Sequence, residues 1–184
     1  MNTFEKHYYE VVQKDLILSE NISTASLLPA PKKVAICLGG ESSDENYVVA
    51  CLGALNIIGG QKPYLIQRPP SQQRNSGSRE GVGGKVTLRR ATMYLFFYKL
   101  LFHALPRVRQ FEGLQAPAHE NIYCFVLKDL FSFEELVPLF PYFEEVGSLQ
   151  CQFYFTTKDI SEAHVLGHGL QVCFISKGKE EKRK

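Results

Sequence analysis

GGKVTLR, Gly83 to Arg89, alternates polar and apolar side chains from Lys85 onward. Successive side chains of a strand point to opposite faces of its sheet. Lys85, Thr87 and Arg89 therefore share one face, and Val86 and Leu88 share the other. The alternation predicts a sheet with one buried face and one cationic, hydrogen-bonding face. Upstream, Lys33 to Leu38 (KVAICL) is apolar and β-branched and predicts a first strand, closed by Gly39 and Gly40. Ser43 and Asp44 are good N-cap residues for a helix that carries Tyr47, Val48, Cys51, Leu52, Leu55 and Ile58. Gly59 and Gly60 stop that helix, and Pro63 to Gln67 predicts a second strand.

From Arg68 to Gly84 almost nothing can be buried: Pro69, Pro70, Ser71, Asn75, Ser76, Gly77, Ser78 and Gly81 predict a long loop, with Arg68, Arg74 and Arg79 against the single acid Glu80. A loop of that length inside a compact domain is usually functional or disordered. After KVTLR, a helix from Ala91 to Leu105 carries the stripe Met93, Phe96, Phe97, Leu100, Leu101 and Ala104, which suits the apolar side of the sheet, and Pro106 ends it. Arg107 and Arg109 then flank Val108 in an extended, basic stretch. Asn121 to Lys128 and Cys151 to Thr157 predict further strands, separated by the acidic-aromatic segment Phe131 to Val146. An amphipathic helix from Phe4 to Leu18 (Phe4, Tyr8, Val11, Val12, Leu16) opens the chain. A short helix from Ile160 to Leu166, cut off by Gly167 and Gly169, comes last. The order predicts an α+β fold: an antiparallel-rich sheet with helices packed on one face and an open face on the other. Residues 1–176 are expected to form a single domain, and the charged tail 177–184 (KGKEEKRK) is expected to be disordered.

The chain's 184 residues suffice for one domain with a substantial core, and 45% of them are hydrophobic. Net charge is only +2, from 21 Lys and Arg against 19 Asp and Glu. Affinity for nucleic acid leans on neutralised phosphates, so any such function rests on where the cations sit rather than on their surplus. The cysteines at 37, 51, 124, 151 and 173 are scattered, odd in number and without a CxxC pair, which points to reduced thiols. No run approaches the roughly 18 apolar residues of a membrane helix; Tyr94 to Leu105 is broken by Lys99 and His103. Neither a secretory signal nor an Arg-rich transit peptide is visible.

Enzyme chemistry finds little footing. Gly81 to Thr87 has the look of a phosphate loop, but its hydroxyl is two residues after Lys85 and it feeds a strand, not a helix N-terminus. His164 and His168 have metal-ligand spacing without a supporting Glu, so they read as surface histidines. Glu134, Glu135, Glu144 and Glu145 alternate with Phe133, Leu136, Phe140 and Phe143, which describes a solvated acidic edge. No nucleophile with its base, no metal site and no cofactor site is expected.

Three motifs remain: GGQKP (Gly59 to Pro63), GGKVTLR, and ALPRVRQFEGL (Ala104 to Leu114). Their Lys and Arg side chains can meet phosphates, while Gln61 and Thr87 offer hydrogen bonds to sugars or base edges. An ordinary solvated sheet face is the alternative on the residues alone. In this order the motifs resemble the ribosomal protein L-five family, the 5S-rRNA-binding proteins of the large subunit, over about Tyr8 to Phe174. The resemblance implies a structural protein, not an enzyme, with 5S rRNA on the exposed sheet face and a long loop reaching the elbow of P-site tRNA. It also implies contacts with large-subunit rRNA, neighbouring ribosomal proteins and, through a bridge, a protein of the small-subunit head. The implied RNA-binding residues are Gln61, Lys62, Lys85, Thr87, Arg89, Arg107 and Arg109, with Arg68, Ser71, Arg74 and Arg79 in the tRNA-facing loop. Cys37 stands where the family usually has Asn, so that contact is expected to be lost or replaced. Drift from the family pattern, low charge and many Phe and Tyr favour a mitochondrial member in the matrix. The resemblance starts by Tyr8, for which an organelle-encoded protein is the simplest explanation, with a mature chain or an internal import signal as alternatives. The rival function is a protein-interaction module of a ribonucleoprotein complex that has lost direct 5S rRNA binding, suggested by the low charge and residues 131–146.

Overall fold

The computed structural model describes residues 3–19, 22, 24, 27–40, 44–68 and 81–175. Its centre is one sheet built from β1 (Ala30–Gly39), β2 (Tyr64–Gln67), β3 (Gly81–Leu88), β4 (Ile122–Leu127) and β5 (Leu149–Thr156). The spatial order is β2-β3-β1-β5-β4, and every neighbouring pair is antiparallel. Val34, Ile36 and Leu38 of β1, Val86 and Leu88 of β3, and Leu149, Cys151 and Phe153 of β5 are all buried on one side. Helix α3 (Glu45–Gly59) and helix α4 (Arg90–Tyr98) cover that side. The expected α+β architecture is thus observed.

The N-terminal helix runs as α1 (Thr3–His7), a π-helical turn (Tyr8–Val12) and α2 (Gln13–Ser19). Phe4, Tyr8, Val12 and Leu16 are its buried residues, at a constant spacing of four. An α-helix repeats about every 3.6 residues, so a stripe of this spacing drifts off the contact line. The wider π turn keeps it aligned against α4, where Phe4 stacks on Phe97 with centroids 6.0 Å apart. Val11, expected in the stripe, is exposed instead.

Four sequence expectations need correction. Residues 81–84 are not loop but the first half of β3. A Cβ on Gly83 would stand 2.2 Å from the Leu38 carbonyl oxygen, and one on Gly84 would stand 2.7 Å from Leu52 of α3. These glycines let strand and helix approach closely, a role that composition alone makes look like a flexible linker. Next, Pro106 does not end its helix: α4 passes through a π-helical stretch (Lys99–Ala104) into a 3₁₀ turn (Leu105–Arg107). Thirdly, Arg107 to Arg109 is a turn rather than an extended stretch, followed by Gln110 at φ 57°. Finally, α6 (Ile160–Gly169) continues through both glycines. A Cβ on Gly167 would meet the Phe174 ring at 2.4 Å, and one on Gly169 would meet Val12 at 2.8 Å. Close packing, not helix termination, explains them. The Ser43 half of the N-cap expectation and the tail 177–184 lie outside the described residues.

The acidic-aromatic segment folds as 3₁₀ turns (Leu130–Ser132, Glu134–Leu139) and the short helix α5 (Phe140–Phe143). It buries Phe133, Leu136 and Phe143 and leaves its acids outside.

Candidate nucleic-acid interface

The strand phase that buries Val86 and Leu88 turns Lys85 and Thr87 to the uncovered side, where both are partly exposed. The register extends that side into rows across the sheet. One row runs Tyr64, Lys85, Cys37, Gln150, Val126. The next runs Thr87, Ala35, Gln152, Cys124. A further row joins Lys33, Tyr154 and Ile122. Arg89 continues the phase of Lys85 and Thr87 on extended backbone (φ −141°, ψ 159°) and is exposed. No Asp or Glu occurs in these rows.

Ion pairing reinforces the asymmetry. Among the described residues, Glu135 pairs with Lys99 at 2.7 Å and Glu134 with Arg107, both on the helical side. No described carboxylate pairs with Lys33, Lys85 or Arg89. A surface with cations, amides and a hydroxyl but no acid is matched to an anionic, hydrogen-bonding ligand such as a phosphate backbone. Cys37, in the middle of it, stays a neutral thiol: burial pushes its pKa up, against a lesser downward pull from Lys85.

Gln61 and Lys62 are exposed on the link from α3 into β2. Because Tyr64 opposes Lys85 in an antiparallel pair, the register directs them toward the Thr87–Arg89 end of β3. Arg68 follows β2, at the foot of the loop. Beside that foot, a shallow groove of about 320 Å³ is lined by Cys37, Ile66, Gly83, Gln150 and their neighbours. Ser71, Arg74 and Arg79 lie outside the described residues. The structure therefore brings Lys85, Thr87 and Arg89 to one side and leaves Gln61 and Lys62 exposed on the neighbouring link into β2. It does not bring Arg107 there, since that side chain is held by Glu134 at the end of the helical layer; Arg109, two residues on, is exposed in the turn.

Sequence reasoning missed Lys33, Gln150, Gln152 and Tyr154 on this face. The signal was available: LQCQFYFT (Leu149 to Thr156) alternates as strictly as KVTLR, and its even-numbered residues share the open side. Among the described residues no helix is long and apolar enough to cross a membrane.

Comparison with known proteins agrees with this geometry. The family model for the C-terminus of the ribosomal L-five family matches residues 81–178. The chain is 30% identical over 178 residues to the large ribosomal subunit protein uL5m of Reclinomonas americana, covering 94% of this chain and 97% of that protein. It is 33% identical over 147 residues to uL5 of Mycoplasma pneumoniae, covering 74% of this chain and 79% of the relative. Against uL5 of Clostridium perfringens strain SM101 the identity is 37% over 125 residues, 66% and 69% of the respective chains.

Proposed function

The chain belongs to the ribosomal L-five family of large-subunit proteins, structural rather than enzymatic components, and from that premise we propose that it binds 5S rRNA through the open face of its sheet. The observation that carries this reading is the absence of any carboxylate from the rows containing Lys33, Lys85 and Thr87. Lys85, Arg89 and Lys62 neutralise phosphates, while Thr87, Gln61, Gln150 and Gln152 donate to or accept from sugar hydroxyls and base edges. Burial of Val86 and Leu88 beneath the same strand fixes the angle of these groups.

Other contacts complete the reading. β2 ends beside the open-face groove, and Arg68, Arg74 and Arg79 of the segment that follows suit a second RNA, P-site tRNA. On the opposite side, a groove of about 750 Å³ lies between α3 and α5, lined by Val49, Tyr142, Glu144 and Glu145. Tyr142 is 74% and Val49 66% exposed there. Apolar anchors rimmed by acids suit a basic neighbouring protein, including one that bridges to the small-subunit head. The mitochondrial relative supports a place in the matrix.

The test replaces Lys85, Thr87 and Arg89 with alanine and follows 5S rRNA binding by fluorescence anisotropy over a range of salt. Affinity falls at least tenfold and the salt dependence flattens. Unchanged affinity and slope would overturn the reading and leave the rival one, a protein-interaction module using the α3–α5 groove.

A further inference from the structure

Tyr154 is the one aromatic side chain of β5 on the open face; Phe153 and Phe155 point into the core. Its cross-strand neighbours are Lys33 on β1 and Ile122 on β4. The Lys33 ammonium rests over the Tyr154 ring, with Nζ 4.2 Å from the centroid. At its far edge the phenol hydroxyl donates to Oε1 of Gln152 at 3.2 Å. The ring is thus steadied along its rim by Gln152 and flanked by Ile122, and one flat face carries the Lys33 ammonium.

A cation parked on a partly exposed ring is weakly held. Phosphate is a stronger partner for Lys33, and among the described residues no carboxylate competes for it. Once Lys33 leaves, the ring presents a flat apolar surface one row along from Thr87 and Gln152, where a base can lie against it. Aromatic side chains on the exposed face of a sheet are a general means of holding splayed-out bases.

We infer that Lys33 and Tyr154 form an exchange site for an unpaired nucleobase: on RNA binding the Lys33 ammonium moves to a phosphate and the base takes its place on the Tyr154 ring. The inference rests on the RNA-binding reading of this face and adds a ligand class to it, unstacked bases as well as paired backbone. Tyr154 contributes stacking and no charge; Lys33 contributes charge and no stacking. Each therefore has its own signature.

The full chain is titrated at several salt concentrations against a 5S rRNA transcript and against a fully paired RNA hairpin of similar length. Tyr154→Thr keeps a strand-forming residue. It lowers affinity for the transcript roughly 5- to 100-fold, the size of one base–aromatic stack, with unchanged salt slope and little effect on the hairpin. Tyr154→Phe retains the affinity, because the ring is what stacks. Lys33→Met flattens the slope by about one phosphate contact on both RNAs. The inference is overturned if Tyr154→Thr binds the transcript as the wild type does. It is equally overturned if Tyr154→Thr weakens both RNAs alike while retaining the wild-type thermal midpoint, or if Tyr154→Phe is as weak as Tyr154→Thr. Failure of the wild type to bind either RNA would instead remove the reading of the whole face.

Discussion

KVTLR and PRVR each carry two cations, Lys85 and Arg89 in one and Arg107 and Arg109 in the other, yet the fold treats them differently. Lys85 and Arg89 project from a strand face without a carboxylate, whereas Arg107 is paired with Glu134, next to the Lys99–Glu135 pair. The acidic-aromatic segment accounts for the difference, because its 3₁₀ turn lays Glu134 and Glu135 against the end of the α4 helical run. A net charge of +2 thus says nothing of where the cations are free: the sheet-face rows hold no acid, while Lys99 and Arg107 on the helical side are paired. Availability of a charge is decided by its neighbours in space, which is why so modest a surplus is compatible with a phosphate-binding surface.

The sharpest way to break this comparison is to measure salt slopes on both regions. Replacing Lys85 and Arg89 together with alanine lowers the slope of log affinity against log salt for 5S rRNA by about 1.5 to 2. Arg107→Ala leaves the slope unchanged, since its charge is already neutralised. A slope that falls equally in Arg107→Ala would show that RNA displaces Glu134, and the two regions would then form one binding surface.

A smaller effect is expected at the centre of the open face. Cys37 lies between Lys85 and Gln150 in its row and offers RNA only a weak thiol donor. Cys37→Asn adds an amide that can donate and accept in the same place, within a row that already contains an amide. Binding of 5S rRNA tightens roughly 2- to 10-fold, the net worth of about one hydrogen bond. Competition binding against the wild type measures this, and unchanged or weaker binding would show that the RNA does not reach the middle of the sheet.

How much of this was legible beforehand depended on whether a residue's role was local. The alternation of Lys85, Val86, Thr87 and Leu88 is a property of one strand, so the two faces of the sheet could be read directly. Gly83, Gly84, Gly167 and Gly169 were misread for the opposite reason. Each is small because of a partner outside its own element: Leu38, Leu52, Phe174 and Val12 respectively. The ion pair of Arg107 was illegible for a similar reason, since Glu134 is 27 residues away along the chain. Tyr154 was overlooked although its strand alternates plainly, because a role in binding shows only once Lys33 is placed across from it. Local periodicity is written in the chain; what fills a particular gap or covers a particular charge is written in the fold.

The smallest effect tests whether the helical-side pairs are as settled as the comparison requires. Burial pushes the Glu135 carboxyl up, but the hydrogen bond from Lys99, one from the residue's own backbone N–H, and the charges of Lys99 and His103 together outweigh it, and the net shift is downward. A carboxyl whose folded pKa is depressed binds a proton less readily in the folded chain than in the unfolded one. Its contribution to stability is therefore complete above the ordinary Glu value of about 4.3 and is lost as pH falls through the lower folded value. Glu135→Gln removes that contribution. Urea midpoints at neutral pH fall by the equivalent of at most ~1 kcal/mol, as befits a largely solvated pair, and the gap to wild type closes on acidification below about pH 4. Binding of 5S rRNA at neutral pH is unchanged in this variant, because the freed Lys99 is on the covered side of the sheet. Tighter, more salt-sensitive binding by Glu135→Gln would mean that the acids mask a second RNA surface rather than merely neutralising the helical side.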